Sequence, residues 1–443
     1  MRKLFTILLV LSLMAGLFAV DYSVYDKGVT VAPDGNSPTG YTATFIYDEL
    51  DSYPGLGDII KVELYSDCFM LFDAATGNPG VIDAAFGHSP YAYRAGLSPA
   101  GGNGGTTVYV EMTEFADGLW GVQMPLSSGA FVYNFRVTDI DGNSKARLDD
   151  PSNPTLVNSA TGIKSLSSLV YVPYNPVTMG TGAYADRSVE LPQADPAKQG
   201  TVETVGYTGE DGTLHGLAVY LPAGYDENRD EPYKVLYISH GTSGDVYGDE
   251  LRWLNEGAVK NITDNLVAEG KAEPFVVVSM NNQQFSRGPG NQGPDWDFSP
   301  IEIDQIEYIM PYVEARYNIC AEASGRAYAG LSMGGVTASN MLLYHPDLFS
   351  YYGVWSYANA EESMGRAGIA DKAVQDSLLA YDGELNIMIS AGIWDFGLES
   401  CSTFGAYLDE IGIASTFLLV PAAHDWENWQ LTYAWAAENF LWK

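Results

Sequence analysis

The sequence predicts an α/β fold over its C-terminal half, preceded by a smaller all-β sandwich. Short, nearly all-apolar runs recur after residue 200, and amphipathic stretches at helical period separate them. Before residue 155 the chain instead carries alternating, aromatic-rich segments with no helical periodicity. At 443 residues it is long for one domain and comfortable for two, each able to bury a core.

Residues 1–20 read as a secretory leader. Met1-Arg2-Lys3 is basic, an apolar run extends from Leu4 to Phe18, and Ala15, Gly16 and Ala19 are small. The run falls short of the roughly 20 apolar residues a spanning helix needs. Cleavage is therefore expected, with the mature protein exported rather than anchored. The formal charge is −34, and loss of Arg2 and Lys3 leaves 20 basic against 56 acidic residues. Such an excess of carboxylates disfavours nucleic acid and anionic membrane surfaces as partners, because both need clustered Lys and Arg. Three cysteines (Cys68, Cys320, Cys401) are too few and scattered for a disulfide framework or a zinc site. A Cys320–Cys401 bridge and buried free thiols are both open readings.

Residues 21–155 form the all-β unit. Thr107–Met112 and Ala130–Val137 alternate as half-buried strands do, with glycine-rich turns at 101–105 and 141–143. Short strands at this spacing suggest an immunoglobulin-like sandwich. Asp139, Asp141, Asn143 and Asp150 have part of the spacing of a calcium loop, but Ser144 stands where glycine is wanted, and Asp-Gly-Asn is equally a hairpin turn. Residues 156–200 hold prolines at 173, 176, 192 and 196 without sustained pattern, as a linker or a segment laid over a domain surface would.

Residues 201–443 carry the α/β pattern. Val235–Ile238, Phe275–Met280, Tyr352–Trp355, Leu385–Ile389 and Phe417–Val420 read as strands buried on both faces, as a parallel sheet demands. Leu254, Ala258, Ile262 and Leu266 fall at i+4 spacing, and Ile303, Ile306, Met310, Val313 and Tyr317 repeat at helical period.

Gly330-Leu331-Ser332-Met333-Gly334 is a G-x-S-x-G motif between a strand-like Arg326–Ala329 and a helix-compatible Val336–Tyr344. Strand, tight turn and helix put a serine hydroxyl on a strained elbow above the sheet, the setting of an α/β hydrolase. Serine needs a base, and in this fold the chain order is serine, acid, histidine. Of the five histidines, two follow Ser332. His345 ends the elbow helix, too far down it to return. His424 follows the strand Thr416–Val420 and is the predicted base. Asp395 follows the buried run Leu385–Ser390 and is the predicted acid, with Glu399 as the alternative. The oxyanion donors are expected to be the backbone N–H groups of Met333 and, after the strand Val235–Ser239, of Thr242. His240 is expected to be structural. Trp253, Trp296, Trp355, Trp394 and Trp426 fall near loops at the strand ends, where an acyl group would sit. No cofactor or metal is implied.

Tyr220–Asp226, Leu236–Gly241, Ala329–Gly335 and His345–Phe349 resemble the signature segments of carbohydrate esterase family one, over about Thr201 to Trp442. Ala422-Ala423 precedes His424 where such enzymes often carry two glycines. Gly118–Trp120, Met124–Gly129, Tyr133–Arg136 and Asp150–Pro154 resemble early-set, family 48 carbohydrate-binding modules, with Trp120 and Tyr109 as stacking platforms if the module binds glycan. The resemblance implies a secreted serine esterase that releases feruloyl groups from plant polysaccharide. Acetyl xylan esterase, a siderophore-type esterase of the same fold, and a glycan-binding protein with an inactive hydrolase domain are the alternatives it leaves.

Overall fold

The computed structural model describes residues 20–37, 39–49, 58–67, 72–73, 78–79, 109–242, 249–281, 299–361 and 366–443. The leader, Cys68, the 101–105 turn and Trp296 lie outside them.

The N-terminal part contains β1 (Gly28–Pro33), β2 (Tyr41–Asp48), β3 (Ile59–Ser66), β4 (Phe72–Asp73), β5 (Asn78–Pro79), β6 (Val110–Glu111), β7 (Thr113–Ala116), β8 (Leu119–Pro125), β9 (Gly129–Asp139), β10 (Ser144–Leu148) and β11 (Ser168–Val172). One sheet runs β1-β2-β8-β7, and a second runs β10-β9-β3-β6 with β11 also paired to β9. Alternation makes each sheet apolar on one face, and the two faces share a core. Across it Phe45 of β2 meets Tyr133 of β9, and Tyr47 meets Phe135. Trp120 is buried in this core and its indole N–H donates to Glu49, while Arg136 covers the ring of Tyr109. Trp120 therefore lacks the open face that a glycan platform requires, and Arg136 occupies one face of Tyr109. The Asp139 carboxylate accepts the N–H groups of Asp141 and Asn143, so it caps the β9–β10 hairpin.

The C-terminal part holds an eight-stranded mixed sheet: β12 (Thr201–Thr208), β13 (Leu214–Leu221), β14 (Lys234–Ser239), β15 (Phe275–Met280), β16 (Arg326–Leu331), β17 (Tyr351–Trp355), β18 (Asn386–Gly392) and β19 (Thr416–Val420). Its order is β12-β13-β15-β14-β16-β17-β18-β19. The first two pairings are antiparallel and the other five parallel. The central strands are buried on both faces because helices cover both, which is why their sequences are continuous apolar runs. Among the described residues no helix is long and apolar enough to cross a membrane.

Two helical expectations shift. The first helix begins at Val259, after Ala258 at φ 51°, although Leu254, Ala258, Ile262 and Leu266 are all buried as their spacing requires. The second is interrupted: Ser299–Asp304 and Met310–Arg316 are α-helical, with a π-helical turn at Gln305–Ile309 between them. Pro311 has no N–H to give, and one wide turn accommodates it. The extra residue rotates the apolar stripe, leaving Ile303 exposed while Ile309, Met310 and Val313 are buried.

The proline-containing stretch 156–200 is laid across both parts and packed onto them. It contributes β11, and Glu256 accepts hydrogen bonds from Ser165 Oγ and the N–H groups of Leu166 and Ser167. Arg187 is buried, with Nε on Glu190, Nη1 on Glu427 and Nη2 on Gln430. Glu190 in turn accepts the Ala130 N–H of β9. One guanidinium thus ties the N-terminal sheet to the C-terminal helix Trp426–Asn439. Burial pushes the carboxyl groups of Glu190 and Glu427 above the usual carboxylate range, and the Arg187 charge opposes it.

Candidate active site

Parallel strands end on one edge of a sheet, and β14, β16, β18 and β19 all do so here. The residues singled out in the sequence leave the sheet at that edge. Ser332 follows β16 directly and sits at φ 54°, ψ −116°, a region costly for any residue with a Cβ. Its N–H is held by the Trp355 carbonyl at 2.8 Å. The helix Met333–Tyr344 starts at once, so the Met333 N–H is one of its unpaired first-turn donors. The glycines around it are demanded by contact. A Cβ on Gly334 would lie 2.5 Å from the Ser239 carbonyl oxygen, and one on Gly330 would collide with Gly334. Except for Tyr344, every residue of this helix is buried, which its small residues make possible.

The β14 loop closes on Ser332 from the other side. A Cβ on Gly241 would stand 3.0 Å from Ser332 Cβ, so Gly241 lets this loop, and Thr242 after it, approach the serine. Thr242 is exposed. His240 is fully buried, its Nδ1 against the Gly241 carbonyl and its Nε2 3.3 Å from Asn281 Oδ1. Burial holds its pKa below the ordinary value, as suits a structural imidazole.

Asp395 and His424 are brought together. His424 Nδ1 lies 2.8 Å from Asp395 Oδ1. A carboxylate only accepts, so this contact keeps a proton on Nδ1 and leaves Nε2 as the basic nitrogen. Asp395 is itself fixed: Gly397 N–H donates to Oδ1 at 2.7 Å and Asn428 Nδ2 to Oδ2 at 2.9 Å. The His424 ring is stacked by Phe396, with centroids 3.9 Å apart, and edged by Trp429 at 5.2 Å. Among the described residues the hydrogen bonds of His424 do not include one to Ser332. Such bonds are often long without substrate and tighten in the complex.

Glu399 is exposed in the first turn of the helix Leu398–Ile411 and is not a partner of His424. His345 caps the far end of the elbow helix against Glu302. The tryptophans divide. Trp355 and Trp426 are buried with Trp253 in edge-to-face contacts, so their indoles fill the core and do not meet an acyl group. Trp394 is half-buried in the loop before Asp395, and Trp296 is outside the described residues. Cys320 and Cys401 are both free thiols, so the bridge open in the sequence is not made. Among the described residues no cluster of three His, Cys, Asp or Glu could hold a metal ion.

Sequence reasoning missed Asn428 and Phe396. Asn428 had a signal: Asp425 caps the last helix by accepting the Asn428 N–H, which turns the Asn428 side chain back onto Asp395 and the Ala423 carbonyl. Phe396 had none, because a lone aromatic in a loop has no period.

A family model described as "Putative esterase" matches residues 212–435. An endo-1,4-beta-xylanase/feruloyl esterase of Xylanibacter ruminicola is 31% identical over 186 residues, 39% of this chain and 24% of that one. Endo-1,4-beta-xylanase Y of Acetivibrio thermocellus is 27% identical over 188 residues, 38% of this chain and 16% of that one. The chain thus spans a quarter or less of the length of either relative. The solved structure of an enterobactin esterase from Shigella flexneri superposes with a TM-score of 0.51 at 14% identity, covering 92% of this chain and 95% of that one, and so shares its fold. With more than half of its length matched by that family model, the chain belongs to this esterase family and is a carboxylic ester hydrolase.

Proposed function

We propose that the chain is an exported serine esterase that removes feruloyl-type groups from plant cell-wall polysaccharide through an acyl-enzyme on Ser332. The observation that carries this reading is the Asp395–His424 pair, at the same sheet edge as a serine on a strained elbow. Ser332 Oγ attacks the ester carbonyl while His424 Nε2 takes its proton. The Met333 and Thr242 N–H groups receive the oxyanion. Collapse expels the sugar alcohol, which takes the proton back from His424. A water then repeats the sequence, releasing the carboxylic acid and restoring the serine. Asp395 keeps the imidazole in the right tautomer and offsets its charge.

Support for the acyl group comes from the relatives, both of them xylanases and one of them a feruloyl esterase as well. The exported location rests on the leader-like first twenty residues. The test is hydrolysis of methyl ferulate and of acetylated xylan by the purified chain and by Ser332→Ala. Ferulate release that disappears in the variant is expected. Acetate release without ferulate would reassign the acyl group, and normal turnover by the variant would end the mechanism.

A further inference from the structure

Beside His424 lies an open groove of ≈ 370 Å³, lined by Phe396, Tyr357, Glu361, Glu399, Ser400 and Thr403 among others. Its position relative to the base decides which half of an ester it meets. The group that returns a proton to the leaving alcohol must come within about 2.6–3.2 Å of that oxygen. The alcohol therefore extends past the His424 ring. Phe396 stacks on that ring at 3.9 Å between centroids and is itself 50% exposed. It is an exposed aromatic surface directly beside the base.

We infer that this groove is the subsite for the sugar on the alcohol side of the ester, with Phe396 as its platform; the inference rests on the esterase reading above. The chemistry of the lining points to a neutral, hydroxyl-rich ring. Glu361 and Glu399 are exposed carboxylates that can only accept, so they suit hydroxyl donors and repel phosphate or carboxylate. Among the described residues no Lys or Arg lines the groove, and the whole chain carries a large negative excess. The half-exposed Phe396 ring offers a flat apolar face for the C–H face of a sugar, with acceptors at its margin.

The groove is also pre-formed. Ser400 Oγ donates to the Ala358 carbonyl and accepts its N–H, at 2.8 and 3.1 Å, pinning one wall to the other. Tyr357 packs on the cluster of Met333, Val336 and Ile301, so the far wall is anchored to the elbow helix. Its volume is at the lower end of the roughly 300–1,000 Å³ of small-molecule sites, suited to a short saccharide.

The test compares kcat/KM for a feruloylated arabinoxylo-oligosaccharide with that for methyl ferulate in the wild type, Phe396→Ala and Glu399→Gln. The wild type should prefer the oligosaccharide ester. That preference should fall about tenfold in Phe396→Ala, the scale of one lost aromatic contact, and about threefold in Glu399→Gln, the scale of a weakened hydrogen bond. The change should be carried by KM for the oligosaccharide ester. Equal losses on both substrates would make Phe396 a support for His424 alone and overturn the inference. A larger loss on methyl ferulate would overturn it too, by giving the groove to the acyl group. A wild type active on methyl ferulate without preference for the sugar ester refutes only this inference, whereas one inactive on both refutes the esterase reading beneath it.

Discussion

Replacing Asp395 by asparagine tests the site with little change of shape. Three donors converge on this carboxylate: Gly397 N–H and His424 Nδ1 on one oxygen, Asn428 Nδ2 on the other. An amide has only one acceptor atom. If its oxygen stays with Gly397 and His424, its NH₂ faces the Asn428 NH₂, and two buried donors oppose each other. If it flips, its NH₂ faces Gly397 N–H and His424, and the imidazole must accept at Nδ1. The proton then moves to Nε2, the nitrogen that should act as base. Each orientation loses one hydrogen bond to a charged group, worth about 1.5–3 kcal/mol. The two are therefore comparably populated, and in both the charge that stabilised the imidazolium is gone. Loss of kcat by about 10³- to 10⁴-fold is expected, or ~4–5 kcal/mol of barrier. The assay is steady-state hydrolysis of methyl ferulate beside a thermal melt, which should fall only modestly. Retention of more than about a tenth of the activity would refute the reasoning, since losing the carboxylate charge opposite the imidazolium together with the fixed tautomer costs far more. So would an equal fall in Glu399→Gln, which would move the acid to the groove.

Other predictions are open to direct measurement. Arg187→Leu leaves Glu190 and Glu427 buried without their cation, and should lower stability by about 3–5 kcal/mol in urea unfolding; a loss under about 1 kcal/mol would show the network to be unimportant. Burial raises the Asp425 carboxyl from 3.8 to about 6. The folded state then holds a proton that the unfolded state releases, so stability is fullest below about pH 4 and is lost as pH rises through about 6. Asp425→Asn keeps a helix-capping side chain and should exceed the wild type at pH 7 by up to about 3 kcal/mol, the gap closing at pH 4; a gap independent of pH would contradict this. Gly241→Ala drives a methyl group against Ser332 Cβ and Leu331, and should cut kcat at least about 100-fold with a near-normal melt. Unchanged kcat would place that loop away from the nucleophile.

The sequence by itself determined what local chemistry fixes. The glycines around Ser332 mark an elbow because only residues without a Cβ allow β14, β16 and the helix to approach so closely. The apolar runs mark strands because a parallel sheet is buried on both faces. With the strands placed, Asp395 and His424 followed from chain order. Tertiary structure decided everything that depends on which surfaces meet. Trp355 and Trp426 sit near strand ends in the sequence, yet their indoles turn inward against Trp253, and a loop position gives no sign of that. The stretch 156–200 has no period because its side chains serve two bodies at once, with Arg187 reaching partners 240 and 243 residues away. Phe396 stands on His424 because Asp395 holds the ring there, a long-range consequence of a hydrogen bond between residues 29 apart. A hydrogen bond or ring contact depends on three-dimensional proximity, and the spacing of residues along the chain records it only when both partners share one strand or helix.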